Sequence, residues 1–159
     1  MKMLRAMREP LKYVQGKNAC LEFEKEMGYM GKRFLFVCSN SGYKATHDMI
    51  EQSFEGKGDY YRRYEVFGGI SSNGEINHMK AIVEEDNIDV VVAIGGGSAV
   101  DTAKATAYYA GKRIVILPTV AATDAPCTGL SVIYNDDGSF DKYLFYPQNP
   151  DAVMVDTQI

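Results

Sequence analysis

Short apolar runs, separated by stretches of helical length, constrain this chain more than any other feature of its sequence. "RFLFVC" (Arg33 to Cys38), "IDVVVAI" (Ile88 to Ile94) and "RIVILP" (Arg113 to Pro118) are nearly continuous apolar runs rich in β-branched residues, the pattern of strands covered on both faces. "LKYVQG" (Leu11 to Gly16), "YYRRYEVFGG" (Tyr60 to Gly69) and "DAVMVD" (Asp151 to Asp156) read as further strands. Between them lie helical patterns. Asn18 is expected to cap a helix carrying Leu21, Phe23 and Met27 and stopping at Gly31. The polar turn "SNSGY" leads into a helix from Lys44 to Phe54, and Asn73 opens one with Ile76, Met79, Ile82 and Val83 on one face. A fourth helix runs from the glycines after Ile94 to near Gly111. Strands alternating with helices require parallel pairing through crossovers. The alternation breaks once, where "LSVIYNDDGSFDKYLFY" places two β-rich segments around Asp136-Asp137-Gly138, a hairpin signal. The expected fold is therefore α/β: a parallel sheet with flanking helices and an added β-hairpin.

A chain of 159 residues suits a single domain with a real core, and residues 1–159 are read as one unit. The net charge of −4 argues against nucleic acid as a partner, since phosphates call for clustered Lys and Arg. Arg62-Arg63 is expected at a solvated strand edge. No apolar run approaches the roughly 20 residues that span a bilayer, so no membrane partner is expected. The opening "MKMLRAMREP" is basic without the apolar centre of a secretory signal. Cys20, Cys38 and Cys127 are odd in number and widely spaced, which fits neither a disulfide framework nor a zinc site and points to a reducing cytoplasm. His47 and His78 lie far apart in separate helices and read as surface or core residues.

Chemistry gathers at "VVVAIGGGSAVDTAKA", where a strand passes into a helix through Gly95, Gly96 and Gly97. The turn lacks the Gly-Lys-Ser/Thr of a P-loop. It half meets the dinucleotide fingerprint G-x-G-x-x-G, with Val100 at the third glycine position. Two readings stand: a cradle for pyrophosphate, or a tight turn whose small residues serve packing. Ser98 as N-cap with Asp101 three residues on would form a capping box, aiming first-turn amides at an anion. Asp101 would repel a phosphate that it faced, so it is expected to hold the loop; Lys104 is expected as a solvated helix residue. After the next strand comes "PTVAATDAPCTGLSV", whose one charged residue is Asp124. Such loops gather where ligands bind doubly wound sheets. Asp124 could equally be a helix cap or Asx turn before Pro126.

The runs "IGGGSAVDTAKA", "PTVAATDAPCTGLSVIY" and "NPDAVMVDTQI", together with "YVQG" and "NGEINHM", resemble the glycerol dehydrogenase branch of the iron-dependent (group III metal-containing) alcohol dehydrogenase family. The resemblance spans Leu11 to Ile159. It implies a Rossmann-like domain that binds NAD and is followed in relatives by an all-helical domain absent from this chain; the stop at Ile159, straight after a strand, fits the first half of a longer enzyme. It further implies pyrophosphate over Gly96, Gly97, Ser98 and Asp101, and cofactor contacts at Thr119, Thr128, Leu130 and Tyr134. Asp124 matches the acid beside the polyol. Ser39 stands where the family has an acid on the adenosine ribose, which weakens exclusion of a 2′-phosphate. Ser98 stands where many members of the branch have lysine.

Relatives hold zinc or iron with one Asp and two His of the helical half, so the metal's ligands are expected outside this chain. The implied activity is NAD-dependent, metal-assisted oxidation of glycerol to dihydroxyacetone, in an enzyme expected to be a homo-oligomer at full length, with this segment supplying the cofactor site. Two alternatives remain: another member of the superfamily such as a sugar-phosphate dehydrogenase, or a non-catalytic nucleotide-binding module.

Overall fold

In the computed structural model, residues 8–159 are described, and the basic opening segment lies almost wholly outside them. A six-stranded sheet forms the centre, built from β1 (Lys12–Gly16), β2 (Arg33–Cys38), β3 (Tyr61–Val66), β4 (Val90–Gly95), β5 (Arg113–Pro118) and β8 (Ala152–Asp156). Its order is β1-β8-β5-β4-β2-β3, and every neighbouring pair is parallel. The remaining strands, β6 (Leu130–Tyr134) and β7 (Phe140–Phe145), form the antiparallel hairpin around Asp136–Gly138.

The continuous apolar runs are explained by burial on two faces. Along β2, Phe34 and Phe36 join one core with Val90, Val92, Ile94, Val115 and Leu117, while Leu35 and Val37 join the opposite core with Val91, Ala93 and Ile116. The first core is sealed by α1 (Phe23–Met27) and α2 (Asn40–Ser53), where Phe23, Phe34, Phe36 and Phe54 pack ring against ring. The second is sealed by α3 (Asn73–Glu85) through Met79, Ile82 and Val83, and by α4 (Gly97–Ala110) through Val100, Ala103 and Ala107.

Helix α4 is buried from Ala99 through Ala107, because the sheet, α3 and the hairpin enclose it. Its alanines keep the approach close. Thr102 and Thr106 satisfy their buried hydroxyls by donating to the carbonyls four residues earlier, at 2.8 and 2.9 Å.

Several local expectations are corrected. The segment from Asn18 to Gly31 is not one helix but two 3₁₀ turns flanking the five-residue α1, and Asn18 makes no side-chain cap: it sits in the left-handed region at φ 56° and its amide donates to the Asp156 carboxylate at 3.0 Å. "SNSGY" is not a separate turn, since Ser39 caps α2 by accepting the Gly42 amide and the helix begins at Asn40. Arg62 and Arg63 do lie on the edge strand β3, yet they are ion-paired: Arg62 with Glu51 at 2.9 Å, Arg63 with Glu65 and Asp86 at 2.7 and 2.9 Å. Among the described residues, no helix is long and apolar enough to cross a membrane, and the three cysteines are free thiols.

Candidate functional site

The chain order fixes where a ligand can sit. From β2 the chain moves outward to β3, then returns to the other side of β2 as β4 and continues through β5 to β8. The reversal opens a crevice beyond the carboxyl ends of β2 and β4, the place where doubly wound sheets bind ligands. The glycine turn lies there. So does Ser39, whose amide donates to the Ile94 carbonyl at 2.8 Å, and Thr119, whose amide donates to the Gly95 carbonyl at 3.1 Å.

The glycines divide into two kinds. A Cβ on Gly95 would lie 2.8 Å from the Cβ of Ala99 and 3.1 Å from Ser39 Oγ, so packing forbids a side chain. A Cβ on Gly96 would meet nothing nearer than Val120 Cγ1 at 3.5 Å, and one on Gly97 nothing nearer than Thr123 Cγ2 at 3.9 Å. The protein's own packing therefore has no need of glycine at these two positions. They leave a cradle that a side chain would fill, beside first-turn amides without intrahelical partners and the positive end of a 14-residue helix. The geometry fits a pyrophosphate.

The expected capping box does not form. Gly96 is the N-cap and Ser98 lies inside the helix, so its side chain is past the position from which it could cap. Asp101 turns into the hairpin instead. Its Oδ2 accepts the Val132 amide at 3.1 Å, and its Oδ1 lies 3.3 Å from Lys104 Nζ. Directed there, the carboxylate does not oppose an anion at the turn. Lys104 is the larger correction: it is only 3% exposed, not solvated, because its Nζ donates to the carbonyls of Ala125, Thr128 and Leu130. Burial pulls its pKa down, against the upward pull of Asp101.

The β5–β6 loop reaches over the turn through Val120 and Thr123, residues that the sequence reading passed over because neither carries obvious chemistry. Asp124 is exposed. It stands at the N-cap position of a 3₁₀ turn over Ala125–Cys127, but its side chain makes no cap bond. Thr128 and Leu130 lie alongside Lys104 and Val132 beside Asp101, so β6 runs back along α4 toward the glycine turn. Tyr134, at the end of β6, donates its amide to the Ser71 carbonyl at 2.9 Å, in the loop that follows β3.

A cavity of about 350 Å³ opens elsewhere, between Tyr108, Arg113, Ile114, Tyr146 and Asp151. It faces the amino ends of the strands, away from the crevice in which doubly wound sheets bind ligands. His47 packs between Tyr43 and Tyr64, and His78 is exposed. Among the described residues, no three His, Cys, Asp or Glu side chains converge on a point where a metal ion could be held.

Known proteins share both the sequence and this arrangement. The profile of the iron-containing alcohol dehydrogenases matches residues 10–157. Glycerol dehydrogenase of Thermotoga maritima is 45% identical over 150 residues, covering 94% of this chain and 40% of that protein. Glycerol dehydrogenase of Escherichia coli O6:H1 is 39% identical over 157 residues, covering 99% of this chain and 42% of that protein. The crystal structure of a probable glycerol dehydrogenase from Sinorhizobium meliloti superposes with a TM-score of 0.85 at 37% identity, over 96% of this chain and 41% of that one. The chain thus spans about two-fifths of the length of these relatives. On sequence and fold alike, it belongs to the iron-containing alcohol dehydrogenase family.

Proposed function

We propose that this chain is the cofactor-binding portion of an NAD-dependent polyol dehydrogenase that oxidises glycerol to dihydroxyacetone. The observation that carries the reading is the open cradle at Gly96 and Gly97, set at the switch point of the sheet under the loop from Val120 to Asp124. The choice of glycerol is supported by the likeness to glycerol dehydrogenases at 45% and 39% identity.

On this reading the amides of Gly97, Ser98 and Ala99 receive the pyrophosphate. Ser39 borders the adenosine ribose, and Thr119, Thr128, Leu130 and Tyr134 line the remainder of the cofactor's course. Asp101 acts on the loop and not on the phosphate, since Oδ2 accepts the Val132 amide and Oδ1 is buried beside the Lys104 ammonium. NAD, when bound, supplies the acceptor for the hydride leaving the carbinol carbon. Asp124 presents an exposed carboxylate to a hydroxyl of the polyol and so selects the substrate. The described residues do not fit a metal centre, and the zinc or iron belongs to residues outside this chain. The enzyme is a homo-oligomer in the cytoplasm.

Calorimetric titration with NAD tests the reading. Saturable binding with a micromolar dissociation constant is expected; no heat of binding at millimolar NAD would contradict it.

A further inference from the structure

Lys104 is the one buried cation among the described residues, and its bonds are distributed in an unusual way. All three of its ammonium hydrogens can be assigned to main-chain carbonyls: Ala125 at 2.9 Å, Thr128 at 3.4 Å and Leu130. The carboxylate of Asp101, 3.3 Å away, balances the charge. Those carbonyls span the exit of the β5–β6 loop, immediately after Asp124. Besides Lys104, the loop is held by Ala125 and Pro126, which are buried, with Ala125 packed into the second core, and by four hydrogen bonds: the Thr119 amide on Gly95, the Ala125 amide on Thr123 Oγ1, the Cys127 amide on Asp124 and the Tyr146 amide on the Gly129 carbonyl. Residues 121–124 are exposed. This exposed stretch has no core of its own and takes its order from the anchors that follow it.

A buried ammonium is stable only when its hydrogens are bonded and its charge is paired, and both conditions are met here. Its charge is spent on the loop, so it is not a phosphate ligand. The same side chain lines the 350 Å³ cavity beside Ala107, Tyr108 and Tyr146. Helix, loop and cavity therefore meet at one side chain.

We propose that Lys104 is a positioning residue: by binding the carbonyls of Ala125, Thr128 and Leu130 it holds the β5–β6 loop over the glycine turn and sets Asp124 beside it. The consequence for cofactor binding rests on the nucleotide reading given above; the ordering of the loop does not. Removing the ammonium leaves three carbonyls and the Asp101 carboxylate without their partner, and the loop loses its anchor while the sheet keeps both of its cores.

The test is amide hydrogen exchange on Lys104→Met and Lys104→Ala, followed by NAD titration of the same proteins. Exchange across residues 119–130 is expected to quicken by about tenfold or more in both variants, with β2 and β4 as protected as before, and NAD affinity is expected to fall about tenfold. In Lys104→Ala, propylammonium replaces the deleted atoms, entering by the cavity, and is expected to restore loop protection and NAD affinity together. Tetramethylammonium, which has no N–H to donate, is expected to restore neither. Unchanged exchange in the loop would overturn the proposal, as would protection lost evenly over the whole sheet, the mark of general destabilisation. If Lys104→Met does not fold, Lys104→Ala refolded with propylammonium and then dialysed gives the same comparison. A wild-type protein that fails to bind NAD would defeat the functional reading alone, and the exchange data would still decide the role of Lys104.

Discussion

The Ser39 amide donates to the Ile94 carbonyl at 2.8 Å, which ties the loop leaving β2 to the glycine turn leaving β4 across the switch point of the sheet. The same residue caps α2, with Oγ accepting the Gly42 amide at 3.0 Å. A serine fixed here offers a ribose one hydroxyl and no negative charge. NADP is therefore expected to bind measurably. Ser39→Asp keeps a good N-cap, so stability should change by no more than about 0.5 kcal/mol. It places a carboxylate where a 2′-phosphate would lie and should shift preference toward NAD by about tenfold or more. Equal NADP affinity in the two proteins, measured by calorimetry, would remove Ser39 from the ribose site.

Asp124 is exposed and its side chain accepts no hydrogen bond among the described residues, so its removal should leave the melting temperature unchanged. In the active enzyme, Asp124→Ala is expected to raise KM for glycerol and cost about 1–3 kcal/mol in kcat/KM, the scale of one unmade hydrogen bond. The loss should be smaller for 1,2-propanediol, which lacks one hydroxyl, and NAD affinity should hold. An unchanged ratio of glycerol to propanediol turnover would show that the carboxylate does not read the substrate.

Because no three ligands converge among the described residues, this chain by itself is expected to purify without stoichiometric zinc or iron and to oxidise no polyol. Elemental analysis decides the point: one tightly bound metal ion per chain would require a ligand set that this account does not contain.

Glu51 ties α2 to the edge strand by accepting from Nε and Nη2 of Arg62, at 2.9 and 3.0 Å, and from the Tyr64 hydroxyl at 2.9 Å. Partial burial pushes its pKa up, but the bonds from Arg62 and Tyr64 outweigh that and hold it below the ordinary value of 4.5. A carboxyl depressed in the folded state stabilises above its unfolded pKa, and the gain is lost as pH falls through the folded one. Glu51→Gln should thus cost about 1 kcal/mol at neutral pH, with the gap to wild type closing below pH 4.5. A gap of constant size in urea melts across that range would show that the charge contributes nothing.

What the sequence made legible was whatever burial imposes on residue type. β2, β4 and β5 stood out because strands covered on both faces carry apolar side chains at every position, and Arg113–Pro118 matches the strand end to end. The hairpin was legible from its Asp-Asp-Gly turn. The glycine turn was legible as a site, but not as two kinds of glycine, since only the approach of Ala99 separates Gly95 from its neighbours. Lys104 was misread because an isolated lysine on a helix is normally solvated. The available signal was its setting among alanines and threonines from Ala99 to Ala107, too small on every side for a helix with one wet face. Asp101 was placed in a capping box because its spacing from Ser98 is right, while the amide that it accepts comes from Val132, a partner far along the chain that local spacing cannot show. Val120 and Thr123 approach the turn with methyl groups that make no polar contact with it, which leaves no mark on residue type.

If a pyrophosphate lies in the cradle over Gly96 and Gly97, a side chain at Gly97 must displace it, and the NAD affinity of Gly97→Val reads that displacement. A Cβ at Gly97 meets only Thr123 Cγ2, at 3.9 Å, so the backbone accepts a side-chain branch point here, and the melting temperature of Gly97→Val should stay within about 2 °C of wild type. The valine fills the space where backbone amides meet phosphate, and calorimetry should show NAD affinity reduced by about 100-fold or more. A stable Gly97→Val protein that still binds NAD with wild-type affinity would place the cofactor somewhere other than the glycine turn.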